Sequence, residues 1–440
     1  MLFQTSSSTE TVECPITVRL EANSSSIVKG CPGIPRSIPR IETTINIRSI
    51  NEKPFLIRSV TIKLMTIQKV NVPTKFGTNE AFKEFKIYED PLTYHHPPTS
   101  KKFYQELHGL DIPVLIPIPK DITPSGYSPT FGATTMHNLV VFVSLGSDVA
   151  SELNFRDSFP VDIKTYDTLP IYRQYNEPIL ETCCSSDNQV VVDVAVPVTS
   201  IGPDDDLKVV ATVKTNSANN KVKKNLMLRS VTFQVKEVLE GFDGGLPPKK
   251  EVKIHTETQL YESKELNSQG VSQAFSLKFP YENDYLELFE QNHPPPIIEK
   301  EVEQDFSTTI IESINISKLK TIDKLPEGVP VSHIQGFTLS GGFYSLWFEI
   351  VIKVKLSHAK DTTVHIPIII CPFNKESSKY LLQWIMQQCE IAKELFGKEF
   401  NRVYASATSY SDMIKLINQY RKPPIIYTTR VNNSDHLYID

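Results

Sequence analysis

Cysteine is scarce in this chain. There are six in 440 residues, at Cys14, Cys31, Cys183, Cys184, Cys371 and Cys389. No pair has the C-x-x-C spacing of a zinc site, and the scatter is not a disulfide framework. A reduced, cytoplasmic chain is the simplest expectation. Long apolar runs are also missing. The best stretch, "HIPIIICPF" at His365 to Phe373, falls well short of the roughly 20 residues that cross a bilayer. The start, "MLFQTSSSTETVECP", has no basic residues leading into an apolar stretch, so no secretory leader is expected. The N-x-S sequons at Asn23, Asn315 and Asn432 are then accidental. Neither charge sign dominates: Lys and Arg number 46, Asp and Glu 51, for a net charge of −5. Such a balance argues against binding nucleic acid through the global field, so an anionic partner needs a local basic patch.

Catalytic signatures are absent too. There is no G-x-S-x-G, P-loop or dinucleotide fingerprint. The ten histidines are scattered, and His95 and His96 lie in a Pro-rich stretch with no ligand-spaced Cys or carboxylate. "GFDGGLPP" at Gly241 to Pro248 reads as a hairpin tip rather than a phosphate cradle. The expectation is a non-enzyme with no catalytic residue, metal site or cofactor.

What the chain does have is alternation. A hydrophobic share of 40% and a charged share of 22% suit a folded chain, and the length suits two or three domains. "PITVRLE", "RIETTINIRSI" and "NLVVFVSL" alternate apolar and polar residues and are rich in Ile, Val and Thr, the pattern of half-buried strands. One strand is written twice. "LIRSVTIKLMTI" starts at Leu56 and "MLRSVTFQVKEV" at Met227, with Arg58 and Arg229 229 − 58 = 171 residues apart. Val60, Ile62 and Leu64 share a face, as do Val231, Phe233 and Val235, so the copies agree in parity. Arg58 and Arg229 share that inward parity. Each is either one half of a buried ion pair or a strand-end arginine reaching solvent.

A second pair of segments follows in the same order, Val140 to Ile163 and Ile350 to Ile370. Their landmarks Pro160 and Pro367 are 367 − 160 = 207 residues apart, so the second copy holds about 36 extra residues. The Pro-rich, charged region Asn283 to Gly328 is read as a long surface loop, and Tyr88 to Lys102 as a loop of the first copy. Helical periodicity begins only after Asn374. Leu381, Trp384, Ile385, Ala392, Leu395 and Phe396 fall on one stripe. Ser377 or Ser378 caps the start and Gly397 ends it. A second short helix is expected at Ser411 to Tyr420.

Five stretches in order resemble the arrestin clan, and most closely the fungal α-arrestins, the arrestin-related trafficking adaptors. They are "FLIRSVTIKL", "FPVDIKTYDTLPIYRQYNEP", "VTSIGPDDDLKVVATV", "LMLRSVTFQVKEV" and "FEIVIKVKLSHAKDTTVHIPIIIC". The resemblance implies an all-β fold: two consecutive arrestin-type β-sandwich domains followed by a short α-helical C-terminal tail. The divisions read as 1–165, a linker at 166–182, 183–373, and a helical extension at 374–440. It also implies a non-catalytic adaptor, cytoplasmic and recruited to plasma membrane or endosomes. Such an adaptor binds membrane cargo, a transporter or receptor, and links it to a HECT-type ubiquitin ligase and endocytic trafficking. The alternative is an arrestin-fold scaffold without direct ligase recruitment.

Three sets of residues are candidates for that work. Leu169, Pro170 and Tyr172 form an LPxY element related to WW-domain ligands, although the same residues also read as a stiff interdomain linker. No PPxY occurs, and "PPIIY" at Pro423 to Tyr427 has one residue too many. Lys221, Lys223 and Lys224 precede the repeated strand, and Lys249, Lys250 and Lys253 follow it. Brought together they suit anionic lipid, and kept apart they are solvated edges. The stripe of Leu381, Trp384, Ile385, Leu395 and Phe396 suits a membrane surface or docking on the second sandwich or a partner.

Overall fold

A computed structural model describes residues 15–21, 27–74, 77–88, 92–95, 104–147, 153–169, 177–203, 205–219, 225–242, 246, 248–279, 337–397, 424–431 and 434–439. Alternation becomes strand wherever one face can be buried. The first group of strands is β1 (Ile16–Leu20), β2 (Val28–Lys29), β3 (Arg40–Ser49), β4 (Phe55–Thr74), β5 (Gly77–Lys86), β6 (Leu92–His95), β7 (Gln105–Leu107), β8 (Gly109–Pro117), β9 (Gly126–Ser128), β10 (Ala133–Leu145) and β11 (Leu153–Val161). The second is β12 (Ile179–Cys184), β13 (Val190–Val196), β14 (Ser200–Ile201), β15 (Asp206–Thr215), β16 (Met227–Gly241), β17 (Lys250–Glu265), β18 (Val271–Lys278), β19 (Leu339–Ser340), β20 (Tyr344–Ser357) and β21 (Thr362–Ile370). A helix, α1 (Lys375–Phe396), and a hairpin, β22 (Ile426–Val431) with β23 (Ser434–Ile439), follow.

These strands make two sandwiches. In the first, a sheet ordered β1-β3-β8-β22-β23 faces one ordered β11-β10-β4-β5. Ile41, Ile45, Leu110 and Ile112 of one sheet meet Ile57, Val60, Ile62, Leu139 and Val141 of the other. In the second, β12-β13-β15-β18 faces β14-β21-β20-β16-β17. The central order recurs: β11-β10-β4-β5 matches β21-β20-β16-β17, and β1-β3-β8 matches β13-β15-β18. The doubled strand is therefore the same structural strand, β4 and then β16. Pro160 lies on the edge strand β11. Pro367 lies on β21 just before the short β14 ladder begins at Ile369, where a missing N–H costs nothing.

The two arginines correct the parity expectation. On β4 the ladder to β10 pairs Ile57 with Leu145 and Ser59 with Ser144, skipping Arg58. On β16 the ladder to β20 pairs Leu228 with Leu356 and Ser230 with Lys355, skipping Arg229. Both copies carry a β-bulge at the arginine, which resets which face the side chain takes. Arg229 is exposed and donates from Nε to Ser357 Oγ at 2.5 Å, and Arg58 is half-buried.

Two further expectations change. Residues Leu92–His95, read as loop, pair with β4. Among the described residues the tail is not helical throughout, because after α1 the strands β22 and β23 pair as a hairpin, with Ile426 opposite Asp111 and Thr428 opposite Gly109 on β8. The loop expected at Asn283 to Gly328 and the helix expected at Ser411 to Tyr420 lie outside the described residues.

Candidate functional site

The linker, α1 and both sandwiches meet in one small apolar cluster. Cys31, Tyr166, Leu169, Cys371, Phe373, Leu381 and Ile385 are buried there, with Trp384 and Cys389 packed against them. The Tyr166 ring stacks on Phe373 with centroids 5.4 Å apart and tilts against Trp384 at 5.1 Å. Burial raises the Cys371 thiol to about 12 and pushes Cys31 well above its usual range. These thiols are packing groups rather than nucleophiles.

Local chemistry holds α1 at both ends. Its first N–H groups have no intrahelical acceptor. The carboxylate of Asp205, in the acidic turn before β15, accepts from Lys375 N at 3.0 Å and from Gly202 N at 2.9 Å. Burial raises the Asp205 pKa, and those two hydrogen bonds pull it back. Gly202 is required, since a Cβ there would lie 2.2 Å from the Phe373 carbonyl oxygen. Ser378 Oγ donates to Asn374 O at 2.7 Å. At the far end the Arg40 guanidinium lies 5.2 Å from the Phe396 ring centroid. Gly397, at φ +80°, ends the helix.

Leu381, Ile385 and Phe396 are therefore buried on the protein itself, and Trp384 is half-buried. Leu395, read on the same stripe, is 54% exposed. The docked face is narrower than the stripe, so the last turn leaves it in solvent. In the LPxY element, Leu169 is fully buried beneath α1; Pro170 and Tyr172 lie outside the described residues.

Of the six lysines, Lys221, Lys223 and Lys224 also lie outside them. Lys249 pairs with Glu251 at 2.7 Å and covers Trp347 with Nζ 5.1 Å from the ring. Lys250 reaches over Phe131 of the first sandwich at 5.5 Å. Lys253 sits opposite Lys236 in the β16–β17 register. Hydrogen bonds from Lys236 and Lys249 hold the Glu251 carboxyl down at about 2. Lys249 is thus matched by a carboxylate and Lys250 by an aromatic ring.

A polar seam between the sandwiches was not anticipated. Gln68 Oε1 accepts from Phe343 N at 2.9 Å, and Gln68 Nε2 donates to Thr135 Oγ1 at 3.0 Å. Thr135 also meets Tyr344 OH at 3.0 Å, and Ser128 donates to Glu237 at 2.7 Å. All six side chains and backbone groups are deeply buried. The turn Gly341-Gly342 is seated directly on Gln68, and a Cβ on Gly341 would lie 2.1 Å from Gln68 Nε2. That pair of glycines was the one available signal. Beside the seam, His137 Nε2 donates to Thr123 O at 2.8 Å and Nδ1 accepts from Thr66 at 3.0 Å. Burial lowers the His137 pKa to about 4, so the ring is neutral.

Among the described residues, no group of three or more His, Cys, Asp or Glu could hold a metal, and no helix is long and apolar enough to cross a membrane. No protein-family model matches the chain. The chain is similar to the "RHO1 GEF localizing protein 1" of Saccharomyces cerevisiae, with 23% identity over 459 aligned positions, spanning 93% of this chain and 92% of that protein.

Proposed function

We propose that this protein is a non-catalytic, cytoplasmic scaffold of arrestin type that holds a signalling partner at a membrane-associated site and does not recruit ubiquitin ligase through its linker. The observation that carries this reading is Leu169. A WW ligand presents its residues in an exposed polyproline II segment. Here the first residue of the LPxY element is fully buried under α1 between the sandwiches, so presenting it would undock the helix.

The partner to test first is a Rho-type GEF, taken from the printed name of the yeast relative. The end-to-end extent of that likeness supports testing the whole chain rather than a fragment. Cargo binding and contact with anionic lipid belong to the same reading. The test is a titration of the purified protein against a Rho-type GEF and, separately, against the WW domains of a HECT-type ligase. Micromolar or tighter GEF binding with no WW binding is the expected result. WW binding that disappears in Tyr172→Ala would overturn it in favour of a ligase-linked adaptor.

A further inference from the structure

The duplicated sheets carry different outer faces. On β4, Val60, Ile62 and Leu64 point into the first core, so Lys63, Met65, Ile67 and Lys69 point out. On β10, Leu139 and Val141 point in, so Met136 and Phe142 point out. Ile67 lies opposite Met136, and Phe82 of β5 lies diagonal to Ile67, opposite Lys69. Phe82 is 61% exposed and Met136 37%, with Ile67 and Phe142 half-buried. An apolar strip thus crosses the outer side of this sheet. The second sandwich fills the matching place with charge. The counterpart of Met65 is Lys236, 236 − 65 = 171 residues on. Lys236 pairs with Glu251 at 2.7 Å and with Glu349 at 3.4 Å.

Cations rim the strip. Lys63 Nζ lies 4.8 Å and Arg156 Cζ 5.8 Å from the Phe142 ring centroid. A ring stabilises such charges without neutralising them. Lys86 is exposed on β5, opposite Met65. Lys69 is matched by Glu80 at 3.1 Å. Glu84, opposite Ile67, is then set against Lys63, Lys86 and Arg156, so the rim keeps a positive excess. Lys86 and Arg156 stand on the two outer strands of the order β11-β10-β4-β5, three strand spacings or about 14 Å apart across the sheet. A helix with its side chains is about 10–12 Å across. Met65 and Met136 make the floor between them adaptable in shape.

We propose that this outer face of the first sandwich is a docking surface for an acidic amphipathic helix of the protein partner. The apolar stripe of that helix would lie on Phe82, Ile67 and Met136. Its carboxylates would reach Lys86 on one side and Lys63 and Arg156 on the other. Charge complementarity selects this occupant. A neutral apolar segment would desolvate the rim cations and leave them unmatched. An extended segment, about one strand spacing wide, would not reach both flanks at once. The apolar contact supplies affinity, and the charges set orientation and association rate.

This rests on the scaffold reading above, and the test separates the two. Phe82, Met136, Lys86 and Arg156 are all exposed, so two double variants leave the core untouched. One is Phe82→Ser with Met136→Ser, and the other is Lys86→Glu with Arg156→Glu. Binding of the Rho-type GEF is titrated for wild type and both variants at low and high salt. Sedimentation with phosphatidylserine-containing vesicles is run beside it. The expected result is a tenfold or greater loss of affinity in each variant. Wild-type affinity should fall with salt, and that dependence should shrink in the charge variant. Wild-type GEF affinity in both variants would overturn the docking surface and leave the scaffold reading standing. The same result with vesicle binding lost would assign the face to a membrane, which also overturns the proposal. Loss in the apolar variant alone would overturn the acidic partner. Absence of wild-type binding would remove the scaffold reading and this site with it.

Discussion

Gln68 does at the seam what no apolar residue of its size could do. It satisfies the Phe343 N–H and the Thr135 hydroxyl in a place from which water is excluded. Gln68→Ala should cost about 1–3 kcal/mol, because a buried backbone donor is left without an acceptor. Gly341→Ala should cost a similar amount by another route, since its new Cβ displaces the Gln68 amide. Once Gln68 is alanine the obstacle is gone. The double variant is therefore expected to match Gln68→Ala alone within about 0.5 kcal/mol in urea unfolding. Fully additive losses would show that the glycine matters for its own backbone instead. His137 gives a pH test at the same place. Its folded pKa of about 4 lies below the usual 6.5, so the unfolded chain takes the proton first. Stability should fall as pH drops from about 6.5 towards about 4, by about 2 kcal/mol at pH 5. The comparison is the difference in unfolding free energy between pH 7.5 and pH 5, which should shrink by that amount in His137→Asn.

Elements were legible in proportion to how local their causes are. The doubled strand could be read from Arg58 to Leu64 and Arg229 to Val235 because period and parity are properties of neighbouring residues. Helix α1 could be read for the same reason, including its stop at Gly397. The bulges at Arg58 and Arg229 could not, since a bulge is a relation between strands. Nor could the N-terminal clamp of α1, because its acceptor, Asp205, comes from a turn far back in the chain. The sequence suggested Ser377 or Ser378, and Ser378 bonds back to Asn374 instead. The misplacement of Leu395 is similar: periodicity gives a stripe, and only the neighbouring surface decides how wide a stripe is used. Asp205→Ala should loosen α1, at about 1–2 kcal/mol. In a Trp347→Phe background, the remaining Trp384 reports on that docking by its emission. A red shift and faster exchange across residues 375–396 are expected, with the sandwiches still folded. An unchanged spectrum would mean that the apolar cluster alone seats the helix.

At the scale of the whole molecule, the chain is closed on itself in a way that no single segment announces. Its last strands complete a sheet that begins at Ile16. Its helix bridges both sandwiches, and Val70, Phe131 and Ala133 of the first belong to the core of the second. Alternation in "IIYTTRV" is too short to identify its partner, so the hairpin could not be placed without the fold. A core shared in this way, with the polar seam across it, should make the two sandwiches unfold together. Calorimetry of the full chain should show one transition, with calorimetric and van't Hoff enthalpies in agreement. Tyr427→Ala removes a buried side chain of the hairpin and should cost about 2–4 kcal/mol. If the halves are coupled, that loss lowers the single transition as a whole, although Tyr427 packs in the first core. Two separable transitions, with only the earlier one moved by Tyr427→Ala, would show that the seam joins two independent bodies. In that case the C-terminal hairpin would serve the first sandwich alone.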